Sequence, residues 1–414
     1  MSRSEKPTIG TRAYAWLQRL VGASRAERVV ISGLALVLAI LIGMVFVFVS
    51  GAVAECTNDP AVYRLFGFAL PLQFLGTEFC YDPINVFYVL IEGSLTDVFG
   101  IALTLQATAI LLLTGLSVAI SFRAGLFNIG TQGQMVLGAL AAGIVAPRIA
   151  SSVDPGMLGA TVVLGTSIVA AAVVGGIWGA LPGLMKAYAD ANEVITTIML
   201  NIIASGMAIT IVRDVLGKPK VQTEPIPSWA MFTSVVLPTN AKFSMLVLLG
   251  AVVLTVALWY VLNYSAFGYN LRVSGIQPDA AEYSGVNAKR VIVSTMTIAG
   301  ILGGLAGAAF VLMAQGYWAD GLPAYGFDGI TVSVLAANSP AGIIPAALLF
   351  GTFRSGTIVL QLGAAVPPEI IDVLRGIIIL LVAMPEAMRQ LAIRWGIEPP
   401  EDLPDDPTEV SADD

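Results

Sequence analysis

Long uncharged apolar stretches alternate with short polar segments along most of the chain. The stretches 29–50, 98–122, 157–185 and 243–264 each contain 22 or more residues without a charge. About 20 consecutive apolar residues are enough for a helix to cross a bilayer. Because helices satisfy every backbone polar group within lipid, this pattern predicts an all-α polytopic membrane protein.

Further apolar stretches bring the expected number of transmembrane helices to about ten. The additional stretches are 134–146, 194–212, 291–314, 329–337, 341–353 and 370–388. The stretches 329–337 and 341–353 are too short to cross a bilayer alone, and Asn338-Ser339-Pro340 separates them. We therefore expect this pair to be broken or re-entrant helices.

Basic residues indicate the orientation of the chain. Arg12, Arg19 and Arg25 precede the first stretch, and Arg389 and Arg394 follow the last one. Loops rich in Lys and Arg stay in the cytoplasm, so the prediction is a multi-pass protein of the cell membrane with both termini cytoplasmic. The expected divisions are a basic N-terminus 1–28, a first anchor 29–50, an exterior loop 51–96, a membrane core 97–390 and an acidic, disordered tail 391–414.

The composition is typical of a membrane protein, and it argues against catalytic and metal-binding sites. The mean hydropathy is +0.83, and only 12% of residues are charged, against about 25% in soluble proteins. The chain has no His, and Cys56 and Cys80 are its two cysteines. We therefore expect no catalytic residue, no metal site and no nucleic-acid partner. Cys56 and Cys80 could form a disulfide in the exterior loop or remain free thiols.

A polar segment interrupts the apolar pattern after the second predicted span. It reads F-R-A-G-L-F-N-I-G-T-Q-G-Q-M from Phe122 to Met135. Amide-rich, broken backbone beside a membrane span is tolerated only where it packs in protein or lines an aqueous cavity. The segment is therefore a candidate part of a solute path, through Asn128, Gln132 and Gln134.

Two kinds of internal pattern accompany the spans. Glycines spaced four apart, at Gly175/Gly179 and Gly300/Gly304, predict close helix packing. In addition, G-L-F-N-I-G at 125–130 is similar to Y-G-F-D-G-I at 325–330, and we expect each to be a loop before a span. Inverted repeats with broken helices are typical of transporters, so an inverted repeat is the prediction.

Four ordered motifs resemble one known family. They are G-L-F-N-I-G-T-Q-G-Q-M (125–135), N-E-V-I-T-T-I-M-L-N (192–201), the segment 268–287 and Y-G-F-D-G-I-T-V-S-V-L (325–335). The chain resembles the permeases of ABC importers, in the branch for branched-chain amino acids, ribose and other simple sugars, and nucleosides. Within that branch it is similar to the nucleoside (guanosine-type) uptake permeases. Thr131-Gln132 departs from that family, which usually has Ala or Glu there.

The resemblance implies a division of labour between subunits. This chain has no G-x-x-x-x-G-K-[ST] motif for ATP phosphates, so it would hold no cofactor, and a separate ATPase subunit would hydrolyse ATP. The cytoplasmic loop 267–290 would dock that ATPase, through Arg272, Gly275, Pro278, Ala281 and Gly285. A second permease subunit, as in a heterodimer, an exterior solute-binding lipoprotein and membrane lipid would be the other partners.

The expected solute is an uncharged nucleoside or simple sugar, which needs amides and aromatic faces rather than a charged clamp. The candidate residues are Phe127, Asn128, Gln132, Gln134 and Asn201. The other interpretation of each amide is a hydrogen bond between helices.

The alternative function is an ion-coupled secondary transporter of a small uncharged solute. Such a protein usually needs ionisable groups in the middle of its spans. The ionisable residues that lie away from the ends of the predicted spans are Asp372 and Arg375. These two are expected to pair with each other.

Overall fold

The computed structural model describes residues 9–53, 62–65, 68–71, 73–74, 77–78, 80–232, 242–363 and 367–397. The chain forms two compact units, one of Met1–Phe87 with Ala364–Asp414 and the other of Tyr88–Gly363. The domain boundaries expected from the sequence differ from this division and stay a prediction. The tail from residue 398 and Cys56 lie outside the described residues.

The first unit contains helices from both ends of the chain. They are α1 (Ile9–Val21), α2 (Arg25–Val53) and α14 (Pro368–Arg394), with four short strands β1 (Val62–Leu65), β2 (Phe68–Pro71), β3 (Gln73–Phe74) and β4 (Thr77–Glu78). Strand β1 pairs with β2, and β3 with β4, both antiparallel. Helix α2 packs against α14, with Gly43 lying close to Leu374. Cys80 is disulfide-bonded. The side chains of Asp372 and Arg375 lie outside the described residues, so their pairing stays a prediction.

The second unit is the larger helical bundle. Helix α3 (Pro83–Leu95) leads into it, and its other helices are α4 (Val98–Arg123), α5 (Thr131–Ala150), α6 (Met157–Ala189), α7 (Glu193–Thr210), α8 (Met245–Tyr264), α9 (Ala266–Ile276), α10 (Pro278–Tyr283), α11 (Ala288–Ala309), α12 (Tyr325–Leu335) and α13 (Pro340–Gly363). Short π-helical extensions follow α7 (Ile211–Val215) and α11 (Phe310–Gln315), and Ser228–Ala230 is a 3-10 turn.

Helix α4 is the centre of this bundle. Its residues from Ala107 to Ser121 are all buried, and α11, α12 and α13 pack around it. The helix is apolar on all sides, as expected for a helix surrounded by other helices rather than one with a single buried face. Helices α6, α7 and α8 instead keep many large apolar side chains exposed, as lipid-facing helices do.

The predicted glycine packing is confirmed. A Cβ atom at Gly179 would lie 2.7 Å from the Cα atom of Gly300, and one at Gly175 would lie 2.7 Å from the Cα atom of Gly304. The backbones of α6 and α11 therefore touch. Small residues at such a crossing let van der Waals contacts hold helices together where lipid provides no hydrophobic drive.

The all-α polytopic fold is confirmed, with changes to some spans. Among the described residues eight helices are long and apolar enough to cross a membrane, namely those that include α2, α4, α5, α6, α7, α8, α11 and α13. Together with α12 and α14 they account for the ten predicted segments.

Three of the predicted bounds were wrong. The span expected at 134–146 begins at Thr131 and ends at Ala150, so Gln132 and Gln134 lie in a helix rather than in a break. The stretch at 341–353 was expected to be too short to cross the membrane. It is part of a 24-residue helix that passes through Arg354 and ends at Gly363. The motif 325–330 forms the first turns of α12 instead of a loop before it.

Candidate functional site

The polar segment does break the helix, between α4 and α5. Gly125 has a φ of +71°, a left-handed conformation that glycine adopts without steric cost. The amide of Leu126 then donates back to the carbonyl of Ser121 at 3.0 Å. Asn128 fixes the rest of the turn, because its Oδ1 accepts from the amide of Gly130 at 2.8 Å and its Nδ2 donates to Ser121 Oγ at 3.3 Å.

Asn201 of α7 completes the start of α5 from the side. Its Oδ1 accepts from the amide of Gly133 at 2.8 Å, and its Nδ2 donates to the carbonyl of Ile129 at 3.0 Å. Thr197 Oγ1 accepts from the amide of Ile129 at 3.3 Å. The first amides of a helix have no partner within it, so α7 satisfies groups that α5 leaves unpaired.

Gln132 joins the first turn of α5 to the first turn of α12. Its Oε1 accepts from the amide of Gly326 at 2.8 Å, and its Nε2 donates to the carbonyl of Pro323 at 3.3 Å. Two helices that begin inside the bundle are thus held together by one amide side chain. Discontinuous helices whose N-termini meet within the membrane are a feature of transporter sites.

Gln134 lies two residues further along α5, in a buried hydroxyl cluster. The hydroxyl of Ser117 shares its one hydrogen between the carbonyl of Ala299 at 2.7 Å and Gln134 Oε1 at 3.4 Å, and it lies 3.1 Å from Thr131 Oγ1. Ser117 precedes the end of α4 by six residues, or about 9 Å of helix. The start of α5 is therefore well inside the bundle.

The structure thus brings four of the five candidate solute residues to the start of α5. Asn128, Gln132, Gln134 and Asn201 are all buried, and each hydrogen-bonds to other groups of the chain. Phe127 differs, because it is 37% exposed and stacks on Phe122 with ring centroids 4.7 Å apart. This geometry favours a scaffold role for the four amides in this conformation, and their assignment to a solute path stays a prediction.

A buried ion pair beside this region escaped the sequence analysis. Arg354 Nη1 of α13 lies 2.7 Å from Asp328 Oδ2 of α12, and both side chains are only 12% exposed. The guanidinium also lies 3.8 Å from the ring centroid of Tyr325. In the sequence, Arg354 directly follows the apolar stretch 341–353, so that stretch was predicted to end before it. Ionisable groups within a span mark functional or structural constraints.

Helices α9 and α10 form the loop that was expected to dock an ATPase. Arg272 donates to the carbonyl of Leu262 at the end of α8, and Gly275 lies against the backbone of Ala124. Ala281 is fully buried, Gly285 is an exposed turn residue with a φ of +83°, and the side chain of Pro278 lies outside the described residues. These contacts give Arg272, Gly275 and Ala281 partners within the chain.

The exposed face of α9 and α10 consists of other residues. Ile276 is 83% exposed and Tyr283 is 96% exposed, and Tyr269 is also exposed. These exposed side chains are available for contact with a partner, because no other part of the chain that the structure describes covers them. In the sequence these residues carry no signal of their exposure, because apolar residues in a short amphipathic helix can face either the bundle or a partner.

At the far end of α5 the connecting segments pair with each other. Thr223 donates its amide to the carbonyl of Trp318 at 2.8 Å and accepts the Trp318 amide on its Oγ1 at 2.9 Å. A pocket of about 150 Å³ there is lined by Arg148, Lys218 and Glu224, among others. The hydrogen bond from Lys218 to Glu224, 2.9 Å long, lowers the pKa of the Glu224 carboxyl.

The comparisons with known proteins agree with this geometry. Residues 100–383 match the family described as the branched-chain amino acid transport system permease component. The chain belongs to this permease family. The predicted resemblance is therefore confirmed, and the chain is a multi-pass permease subunit of an ABC importer rather than an enzyme. That assignment sets aside the ion-coupled secondary transporter.

Several relatives are similar over most of their length. The guanosine ABC transporter permease NupP of Bacillus subtilis (strain 168) is 34% identical over 75% of this chain and 88% of its own. The nucleoside ABC transporter permease NupB of Lactococcus lactis subsp. cremoris (strain MG1363) is 31% identical over 78% and 90%. The glucose ABC transporter permease TsgB13 of Haloferax volcanii is 28% identical over 75% and 83%. No solved structure matches the chain significantly.

Proposed function

We propose that this permease carries nucleosides into the cell as one half of a two-permease channel. The observation that supports the solute class is the similarity to permeases named for guanosine and nucleosides. A simple sugar is the second candidate, because a relative named for glucose covers nearly the same share of the chain. The chain itself would bind no ATP and no other cofactor.

The proposed orientation places the Arg123 end of α4 in the cytoplasm. Helices α9 and α10 lie at this end, and Lys289 and Arg290 follow in the first turn of α11. Positively charged segments at the ends of spans stay in the cytoplasm. Arg123 itself donates from Nε to the carbonyl of Asn338 at 3.0 Å, so the turn between α12 and α13 lies at the same end. Both chain termini would then be cytoplasmic.

The ATPase subunit would dock on Ile276 and Tyr283. Burying these exposed side chains in a groove of the partner removes apolar surface from water, at about 25 cal/mol per Å². Arg272, which hydrogen-bonds within the chain, would hold α9 on α8 rather than contact the ATPase.

The solute would pass the exposed aromatic rings at the two helix breaks. Phe127 before α5 and Phe327 in the first turn of α12 are 37% and 43% exposed. Aromatic rings offer stacking faces to a flat base, whereas Asn128, Gln132 and Asn201 each use both the oxygen and the nitrogen of their amides in hydrogen bonds within the chain. The second permease would supply the facing wall, and an exterior binding protein would deliver the solute near Lys218 and Glu224.

Reconstitution tests this proposal. The complete transporter, with its ATPase, second permease and binding protein, would be placed in proteoliposomes and supplied with ATP and labelled guanosine or glucose. We expect ATP-dependent accumulation of guanosine that unlabelled nucleosides inhibit and glucose does not. Accumulation of glucose alone would reassign the solute to sugars, and uptake that follows an ion gradient without ATP would refute the importer.

A further inference from the structure

Helix α9 lies in direct backbone contact with the broken segment before α5. A Cβ atom placed on Gly275 would be 2.7 Å from the carbonyl carbon of Ala124 and 3.0 Å from the amide nitrogen of Gly125. From the other side, a Cβ atom on Gly125 would be 2.7 Å from the carbonyl oxygen of Gly275. Backbone atoms cannot rotate away as side chains do, so this contact exists only because both residues are glycine.

Apolar packing surrounds the contact. Leu271 of α9 and Leu126 of the broken segment are buried in one cluster with Ile120 of α4 and Met296 of α11. The cluster leaves α9 little freedom to slide over the segment, because close-packed interiors transmit displacement rather than absorb it. A movement of α9 must therefore displace residues 124–126.

Helix α9 is also a stiff unit with respect to α8. Ser265 begins the helix by accepting from the amide of Gly268 on its Oγ at 3.2 Å, and Arg272 donates to the carbonyl of Leu262. A different face of the same helix carries the exposed side chains of Tyr269 and Ile276. One rigid element thus has an outer face free for a partner and an inner face against the helix break.

Hydrogen bonds connect the broken segment to the starts of α5 and α12, the two helices that begin inside the bundle. Asn128 ties the segment to Gly130, Asn201 ties Ile129 and Gly133 to α7, and Gln132 reaches Gly326 of α12. These are discrete hydrogen bonds between short elements, the kind of packed network that can carry energetic coupling between sites.

We propose that the contact between Gly275 and Gly125 is the coupling contact through which ATPase docking repositions the starts of α5 and α12. This inference rests on the proposed function of the chain as an ATP-driven permease. It assigns Gly275 a positioning role on the inner face of α9, separate from the docking residues on the outer face.

The test uses the complete transporter in proteoliposomes and compares Gly275→Ala with Gly250→Ala. Gly250 lies in α8, and a Cβ atom there would meet nothing within 4 Å, so this variant controls for the added methyl group. For Gly275→Ala we expect solute transported per ATP hydrolysed to fall about fivefold or more, the lower end of common coupling strengths. ATP hydrolysis itself should persist, because Ile276 and Tyr283 are unchanged.

A second variant guards against a folding defect. Leu126→Ala loosens the same contact without adding atoms, and it should also lower the transport-to-hydrolysis ratio. Fold is checked for each variant by its yield of monodisperse complex and its melting temperature. A normal ratio in either folded variant would overturn the inference. Loss of ATP hydrolysis together with uptake in Gly275→Ala would also overturn it, since that result places Gly275 in ATPase docking.

The proposed function fails in a different way. If the unaltered complex transports without ATP, or never assembles with an ATPase, the importer assignment is wrong whatever the glycine variants do. If the unaltered complex couples ATP to uptake and Gly275→Ala does so equally well, only the coupling contact is wrong.

Discussion

Replacing Asn201 with Leu separates the scaffold interpretation of the buried amides from the solute interpretation. Leu has the same branched arrangement of side-chain heavy atoms as Asn, so the change removes hydrogen bonds without leaving a cavity. Two bonds are lost, to the amide of Gly133 at 2.8 Å and the carbonyl of Ile129 at 3.0 Å. Side-chain hydrogen bonds in membranes are worth about 0.6 kcal/mol on average and up to about 1.7.

The expected loss of stability is therefore about 1–3 kcal/mol for the two bonds. The Gly133 amide lies in the first turn of α5, where no backbone acceptor is available, so we expect the upper part of this range. Stability would be measured by reversible unfolding of the detergent-solubilised protein in a denaturant titration. Uptake would be measured in proteoliposomes and divided by the amount of folded transporter, and this ratio should stay near that of the unaltered protein.

Asn263→Leu is the matched control. Asn263 is exposed on α8 and donates only to the carbonyl of Trp259 in its own helix, at 2.8 Å, so its loss should change stability by less than about 0.5 kcal/mol. The scaffold reasoning is refuted if Asn201→Leu leaves stability unchanged but lowers uptake per folded molecule. That pair of results would make Asn201 a solute contact.

Three further predictions concern other parts of the molecule. Arg354→Met should destabilise the protein by about 3–5 kcal/mol, because it leaves Asp328 buried without a partner, and Asp328→Leu in the same chain should restore much of the loss in the denaturant titration. Phe127→Ala should lower nucleoside uptake while changing stability by less than about 1 kcal/mol, since the ring is partly exposed. Cys80 should react with a membrane-impermeant maleimide in intact cells only after reduction, because it is disulfide-bonded and the proposed orientation places it outside.

Each of these predictions has a contrary outcome. A double variant of Arg354 and Asp328 no more stable than the single one would show that the pair is not coupled. Unchanged uptake in Phe127→Ala would move the solute away from this ring, with Phe327→Ala as the parallel variant on α12. Labelling of Cys80 only after lysis would reverse the proposed orientation.

Local sequence patterns predicted the parts of the fold that depend on local physics. Apolar length gave the helices of the bundle, and the spacing of Gly175 and Gly179 predicted the crossing with α11, because small residues four apart form one face of a helix. The break before α5 was also predictable, since only a glycine such as Gly125 adopts a positive φ without strain.

The features that could not be predicted depend on contacts between residues far apart in the sequence. The apolar stretch of α13 was predicted to end at Phe353, one residue before Arg354, and an isolated arginine is costly in a membrane. The helix continues because Asp328, 26 residues earlier, neutralises that charge. The partners of Asn201 are likewise 68 and 72 residues away. No local pattern reveals whether a polar group in a span faces a solute or another helix.

The departure at Thr131-Gln132 acquires a physical meaning from these contacts. Gln132 accepts from Gly326 on Oε1 and donates to Pro323 from Nε2, and its uncharged amide provides these two functions on separate atoms. An ionised Glu at this position could accept a hydrogen bond but could not donate one. It would also place a negative charge beside Gly326, which is two residues before Asp328 in the sequence. A neutral bridge therefore joins the starts of α5 and α12 without adding a negative charge near the buried pair of Asp328 and Arg354.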